Sequence, residues 1–233
     1  CATLPNRKVV FCQNPVAMTA FGLARLPEDV RAAYRTFMAC STGMAALIAG
    51  FFDYEMISVV PAFADERIFR PATKAPVIAC APRKRPAEFR SIRFMFSRLY
   101  TGPTDWTWEV LETATEAETA AAMGRASLFL SLARLEALSL TTLEAMACEC
   151  LMAGFTGIGP REYLSPVNGV WVDEDDCEAA ARALVQIAEM ADRRGGAAAL
   201  MRHAAAATAA QWTHASFVEA LGVFWRDRMG VNP

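Results

Sequence analysis

The chain has 233 residues, of which 54% are hydrophobic and 21% are charged, and its formal net charge is −2. This composition is typical of a folded globular protein and excludes a disordered chain. The small net charge does not predict a nucleic-acid partner. The sequence has no apolar run of the roughly 20 residues that a membrane span needs, which predicts at most peripheral membrane contact.

Seven cysteines are scattered along the chain, mostly inside apolar runs, without a C-x-x-C motif or a Cys/His cluster. An odd number of cysteines does not favour a disulfide framework, so we expect reduced, buried thiols and a cytoplasmic protein. The opening "CATLPNRKVV" has no initiator Met and no signal-peptide pattern. We therefore expect the chain to lack the first portion of its protein.

The first part of the chain alternates short apolar runs with helical patterns. The predicted strands are 8–13, 36–40 and 56–63, and the predicted helices are 27–35 and 42–52. Residues 67–75 then combine prolines and charges without periodicity, which predicts a linker. Residues 1–66 are therefore predicted to be part of an α/β domain.

The same alternation continues after the linker. The predicted strands are 76–80, 105–112, 127–132, 150–156 and 168–172, and the predicted helices are 87–99, 116–124, 141–149, 178–192, 196–209 and 214–228. Strands interleaved with helices of about ten residues indicate a parallel sheet with helices on both faces. We predict a Rossmann-like, doubly wound domain over 76–212. We also expect a final helix, within 213–233, that packs back toward the N-terminal part.

Three consecutive basic residues, Arg83, Lys84 and Arg85, follow the first strand of this second domain. Ligands of such sheets bind beyond the carboxyl ends of the strands. Three adjacent cations favour an anionic ligand such as a phosphate, for which an arginine fork is well suited. A solvated loop with its basic side chains in water explains the same residues equally well.

A pair of carboxylates marks the stretch "RLEALSLTTLEAMACECL", where Glu136 and Glu144 lie eight positions apart. The strand before them and the helical pattern after them place Glu136 in a strand-to-helix turn. Ser139 or Thr141 would be the N-cap of the helix, and Thr141-x-x-Glu144 fits a capping box. Taken alone, Glu144 is best interpreted as a helix cap and Glu136 as a solvated loop carboxylate.

The stretch as a whole resembles the E-x7-E signature of GT-B fold retaining glycosyltransferases of the family 4, or glycosyl transferases group 1, type. The family pattern is roughly E-G-F-G-L-x-x-L-E-A-M-A, and this chain has E-A-L-S-L-T-T-L-E-A-M-A. Ala137 and Ser139 thus replace two glycines of the pattern. The family's later glycines, glutamate and Asn-Gly are matched by Gly157, Gly159, Glu162, Asn168 and Gly169.

The resemblance implies a role for each matching residue. Glu136 would face the donor sugar, while Arg83 and Lys84 would neutralise the charge of the departing nucleoside diphosphate. Glu144 would bind the ribose hydroxyls, and backbone N–H groups at the start of its helix would bind the diphosphate. The implied catalytic residues are Glu136, Arg83 and Lys84. The implied donor-binding residues are Glu144, Ser139, Leu140, Thr141 and Glu162.

The implied function is transfer of a sugar, with retention, from a UDP- or GDP-sugar to a glycan or lipid-linked glycan, without a metal or other cofactor. Residues 1–66 would then be the remainder of the acceptor-side domain. The alternative that stays open is a non-catalytic nucleotide-sugar-binding module. A GT-B epimerase is disfavoured, because its catalysis requires more acid/base groups than this sequence offers. The acidic run "VDEDD" over 172–176 could suggest a metal site, but acidic residues before a helix explain it more simply.

Overall fold

Two parallel β-sheets organise the computed structural model, which describes residues 8–52, 54, 57–193 and 195–231. The first sheet has the order β1-β2-β3. Its strands are β1 (Val9–Cys12), β2 (Thr36–Ala39) and β3 (Ile57–Val59), and its helices are α1 (Glu28–Arg31) and α2 (Thr42–Phe52). This small sheet lies within residues 1–66, the range predicted to belong to an α/β domain.

The second sheet has five parallel strands in the order β5-β4-β6-β7-β8. Its strands are β4 (Ala75–Cys80), β5 (Thr107–Val110), β6 (Ala126–Leu132), β7 (Leu151–Phe155) and β8 (Val170–Val172). Its helices are α3 (Pro86–Leu99), α4 (Glu116–Arg125), α5 (Leu140–Ala147), α6 (Cys177–Asp192) and α7 (Gly196–Ala209). The chain turns back beside β4, so the topological switch point lies between β4 and β6, where ligands of such sheets bind.

Helices cover both faces of the second sheet. Phe129 and Met152 belong to a buried cluster with residues of α4, α5 and α7, whereas Leu128 and Leu151 pack with α3 and α6. Every residue of β6 is buried, as its unbroken apolar run predicts for a central parallel strand. The predicted α/β fold class with a doubly wound parallel sheet is confirmed.

The last helix, α8 (His214–Phe224), packs against the first sheet. Phe224 is buried against Met38 of β2 and Val60, and Val9 and Phe11 of β1 lie beside this cluster. The chain therefore returns from the second domain to the first. No helix within the described residues is long and apolar enough to cross a membrane.

Several predicted strands and helices are shorter in the structure, and for two of them the physical reason is clear. The helix predicted over 27–35 is a single turn, Glu28–Arg31, because the chain must be extended again by Thr36 to pair with β1. The strand predicted over 56–63 ends at Val59. Pro61 follows within two residues and has no N–H group to donate to a ladder.

Candidate functional site

Lys84 and Glu136 meet at the switch point of the second sheet. Lys84 belongs to a 3₁₀ turn, Pro82–Lys84, that follows β4, and Glu136 lies in the loop that follows β6. The two side chains form an ion pair although they are 52 positions apart in the chain. The structure thus brings two of the three predicted catalytic residues into direct contact.

A strand-end crevice of about 160 Å³ lies beside this ion pair. Its polar lining includes Arg83, Lys84, Glu136 and Thr141, and its apolar lining includes Leu111, Phe129 and Leu132. Arg83 is exposed and forms no ion pair with any residue that the structure describes. The lining also includes the acidic Glu112; the cations of the crevice suit phosphates, and its apolar side chains suit a base.

The start of α5 borders the crevice. Its N-cap is Ser139, whose side chain makes no capping hydrogen bond to a described residue, so the predicted Thr141–Glu144 capping box is wrong. The Ser139 hydroxyl instead accepts a hydrogen bond of 3.0 Å from the Thr142 hydroxyl. The N–H groups of a first helical turn have no intrahelical partner, so those of Leu140 and Thr141 are available to an anion.

Glu144 lies one turn further along α5, half-buried and close to Glu116 of α4. Burial, with a smaller contribution from the charge of Glu116, raises the pKa of the Glu144 carboxyl to about 7. We find no hydrogen bond between this carboxylate and the described part of the chain. A ligand that donated two hydroxyl groups would therefore satisfy a carboxylate that is otherwise costly to ionise.

Glu162 lies in a cleft of about 520 Å³ between the two sheets, whose lining includes Val16, Met44, Glu136 and Ile158. Its carboxylate accepts hydrogen bonds from the Thr42 N–H at 3.1 Å, the Thr42 hydroxyl at 2.7 Å and the Gly43 N–H at 3.1 Å. Burial alone would raise the pKa of Glu162, but these hydrogen bonds lower it below its ordinary value. Donor binding, as predicted, would require the carboxylate to exchange these contacts at the start of α2.

Arg85, the third basic residue of the turn, is directed into the protein. Its side chain is 1% exposed and forms ion pairs with Glu88, Glu174 and Asp175. Glu174 and Asp175 come from the acidic run "VDEDD", and Asp176 of the same run caps α6 by accepting from the Ala179 N–H at 2.9 Å. Sequence reasoning missed this pairing, because no local pattern links segments 89 positions apart.

The loop of Glu136 packs tightly on the loop that follows β7. The Gly159 N–H donates to the Glu136 carbonyl at 3.0 Å, and a Cβ atom at Gly159 would lie 1.9 Å from the Ala137 carbonyl oxygen. Glycine is therefore required at 159 for the two backbones to approach. The described loop accommodates Ala137 and Ser139, where the family pattern has glycine, as buried residues.

Comparison with known proteins shows which family part of this chain resembles. Residues 97–190, which include α4, β6, the Glu136 loop, α5, β7 and β8, match the family of glycosyl transferases group 1. The resemblance to this family is confirmed. An alpha-1,6-glucosyltransferase of Actinobacillus pleuropneumoniae is 37% identical over 114 residues, which are 46% of this chain and 34% of that protein. The chain thus spans about a third of the length of this relative.

Solved structures of glycosyltransferases share the fold. Sucrose-phosphate synthase from Thermosynechococcus elongatus matches with a TM-score of 0.72 and 13% identity, over 98% of this chain and 69% of that chain. Anabaena Alr3699/HepE in complex with UDP and glucose matches with a TM-score of 0.65 and 14% identity, over 91% and 68%. At these identities the likeness concerns the GT-B fold alone.

Proposed function

We propose that this chain is the donor-binding part of a retaining glycosyltransferase that moves a sugar from a nucleotide-diphosphate sugar to a glycan or lipid-linked acceptor. The observation that carries the proposal is the juxtaposition of Lys84, Glu136 and the start of α5 around one crevice at the switch point. The family match and the glucosyltransferase relative support transfer as the reaction.

The proposed role of the basic groups follows from the negative charge that develops on the leaving group. The bond between the anomeric carbon and the diphosphate breaks, so the departing nucleoside diphosphate gains negative charge. Arg83, Lys84 and the N–H groups of Leu140 and Thr141 are positive groups beside the crevice and can stabilise that charge. These groups supply the neutralisation themselves, so the proposed reaction needs no metal.

Glu136 and Glu144 would act on different parts of the donor. Glu136 lines both the strand-end crevice and the larger cleft toward the first sheet, so its carboxylate can face the sugar where donor and acceptor meet. Glu144 would accept hydrogen bonds from the ribose hydroxyls. The described cysteines are free, and all but Cys177 are buried, which supports a cytoplasmic setting for the reaction.

UDP is the first ligand to test, because the Anabaena structure was solved with it. We expect UDP to raise the melting temperature of the chain in calorimetry by several degrees, as a ligand at about a hundred times its Kd stabilises the folded state by about 2.7 kcal/mol. Glu144→Ala is expected to remove most of this shift. Glu189→Ala, on the exposed face of α6, is the matched control and should leave the shift intact.

Turnover separates an enzyme from a binding module. The complete protein, incubated with a radiolabelled UDP-sugar and candidate glycan or lipid-linked acceptors, is expected to form a labelled product whose anomeric configuration matches the donor. Binding of UDP without any product would favour the non-catalytic module. If neither UDP nor GDP changes the melting temperature of the wild-type chain, the donor-site assignment is wrong.

A further inference from the structure

Arg85 contacts the loops that follow several strands of the second sheet. Its own position ends the turn after β4, and its Nε donates to the carbonyl of Ala133, directly after β6, at 3.2 Å. Its guanidinium also pairs with Glu174 and Asp175, which follow β8. Glu174 in turn accepts a hydrogen bond of 2.6 Å from the Gly157 N–H, which follows β7.

These contacts converge on a single buried charge. The guanidinium lies 4.4 Å from the centre of the Phe155 ring, and its partners Glu174 and Asp175 remain 30% and 65% exposed. A single carboxylate would be enough to pair the charge of a buried arginine. Three carboxylates, a backbone carbonyl and an aromatic ring instead fix both the position and the orientation of its planar fork.

The Lys84–Glu136 ion pair is adjacent to this arrangement at both of its ends. Lys84 is the neighbour of Arg85 in the chain, and Glu136 lies three residues after Ala133, whose carbonyl Arg85 binds. Leu135, which lies between Ala133 and Glu136 in the chain, has a backbone φ of 51°. This is a strained conformation that surrounding contacts must maintain. Movement of the Arg85 guanidinium would therefore displace the two loops relative to each other.

We propose that Arg85 is a positioning residue for the donor site: it does not touch the donor but holds Lys84 and the Glu136 loop at the separation that diphosphate binding needs. The proposal rests on the donor site proposed above. Displacement of a binding group by about 1 Å can cost up to a hundredfold in rate or affinity, so loss of Arg85 should reduce UDP affinity although the residue lies outside the crevice.

A double-mutant cycle tests whether Arg85 acts through Lys84. UDP dissociation constants are measured by calorimetry for the wild-type chain, Arg85→Met, Lys84→Met and the double variant. We expect Arg85→Met to weaken UDP binding about tenfold in the wild-type background but less than twofold when Lys84 is already replaced. An equal loss in both backgrounds, or no loss in either, would refute the proposal.

If Arg85→Met shows no cooperative melting transition, Glu174→Gln takes its place in the test. It weakens the contact between Arg85 and the loop after β8 while the buried arginine remains, and we expect a loss of UDP affinity of about threefold that again disappears without Lys84. Arg182→Met, which removes an exposed ion pair with Glu178 on α6, is the matched control and should bind UDP as the wild type does.

A second measurement does not depend on UDP. The chain has three lysines, Lys8, Lys74 and Lys84, so acetylation of each by acetic anhydride can be followed by peptide mass spectrometry. We expect Lys84 to react several times faster in Arg85→Met or Glu174→Gln than in the wild type, relative to Lys8. An unchanged Lys84 rate contradicts the positioning role. If Lys84 reacts faster in the variants but the wild type does not bind UDP, the positioning role of Arg85 is supported and only the proposed function is refuted.

Discussion

At the scale of single residues, the three basic side chains of one turn differ completely in environment. Arg83 is exposed at the crevice, Lys84 pairs with Glu136, and Arg85 is buried under three carboxylates. A loop can direct adjacent side chains to opposite sides, so one basic run places Arg83 at the crevice and Arg85 in the interior. The solvated-loop interpretation is therefore wrong for Arg85, and anion binding by Arg83 and Lys84 stays a prediction.

Arg83 offers a test of the exposed part of the turn. Arg83→Met should change the free energy of unfolding by no more than about 0.5 kcal/mol, because the structure describes no partner that would be left unpaired. It should nevertheless weaken UDP binding about fivefold, and the difference should shrink at high salt. Isothermal calorimetry at two salt concentrations measures this, with Arg90→Met on the exposed face of α3 as the control. Equal affinity of the Arg83 variant and the wild type would contradict a phosphate-binding role.

Glu144 makes the stability of the unliganded chain depend on pH. Its pKa in the folded protein is about 7, above the ordinary value of 4.5, so the folded state holds its proton more tightly than the unfolded state. Below pH 4.5 the carboxyl is protonated in both states and costs nothing. As the pH rises through 7 the folded state bears the full cost of a buried charge, up to about 3 kcal/mol.

Glu144→Gln should therefore stabilise the chain at pH 8 and have little effect near pH 4.5. Urea denaturation at the two pH values gives the difference in unfolding free energy. The matched control is Glu189→Gln on the exposed face of α6, which should change the free energy of unfolding by no more than about 0.5 kcal/mol. A stabilisation by Glu144→Gln that is the same at both pH values would show that burial does not raise this pKa.

At the scale of elements, the first turns of two helices, α2 and α5, differ in how their N–H groups are paired. The start of α5 lacks a side-chain cap from the described residues, whereas the start of α2 is capped by Glu162 from the other domain, 120 positions away. Both observations follow from the unpaired N–H groups of a first helical turn. A helix start without a cap beside a cationic crevice favours a ligand, and a capped one favours a structural contact.

Removal of the Glu162 cap should destabilise the contact between the two sheets. We expect Glu162→Ala to lower the free energy of unfolding by about 1–2 kcal/mol, the usual cost of a lost capping side chain. Thr42→Val should add little to this in the double variant, because both changes remove the same interaction. Chemical denaturation provides the measurement, with the neighbouring exposed residue in Arg161→Ala as the control. Full additivity of the two losses would argue against a shared interaction.

At the scale of the whole molecule, the chain closes on itself through α8. The second domain begins at β4 and its helices end with α7, but α8 then covers the first sheet beside β2 and β3. The two parts are therefore joined by the linker, by Glu162 at the cleft, by the hydrogen bond from the Asn14 amide to the Leu135 carbonyl and by this returning helix. The cleft that Glu136 and Glu162 line lies between parts that are connected in several places.

Replacement of Phe224 tests the contact between α8 and the first sheet. It is 2% exposed against Met38 and Val60, so Phe224→Ala should lower the free energy of unfolding by about 3–5 kcal/mol through lost burial and the cavity that remains. Val223, its neighbour on α8, is 42% exposed, and Val223→Ala should cost less than about 1 kcal/mol. Similar losses for the two variants in urea denaturation would mean that α8 does not depend on the first sheet for its stability.

The fold class was predictable from local patterns, and part of the site from the family resemblance. The apolar run of β6, the helix of Glu144 and the basic turn after β4 depend on neighbours within a few positions, so they follow from periodicity and composition, whose physical basis is local. The E-x7-E stretch lies within one strand-turn-helix unit, but its carboxylates were predicted to be site residues because the stretch resembles the family pattern. The helix predicted over 27–35 is shortened to one turn. Thr36 pairs with Val9 of β1, 27 positions earlier in the chain, and this pairing overrides the local helical preference.

The remaining features depend on which loops the sheet order brings together. Lys84 finds Glu136 across 52 positions, Arg85 finds Glu174 across 89, and Glu162 finds Thr42 across 120. The sequence determined that acids and bases would follow several strands. Only the tertiary structure decided which of them pair and which remain exposed, because partner choice depends on the order of strands in the sheet and on burial, and neither is written in any local pattern.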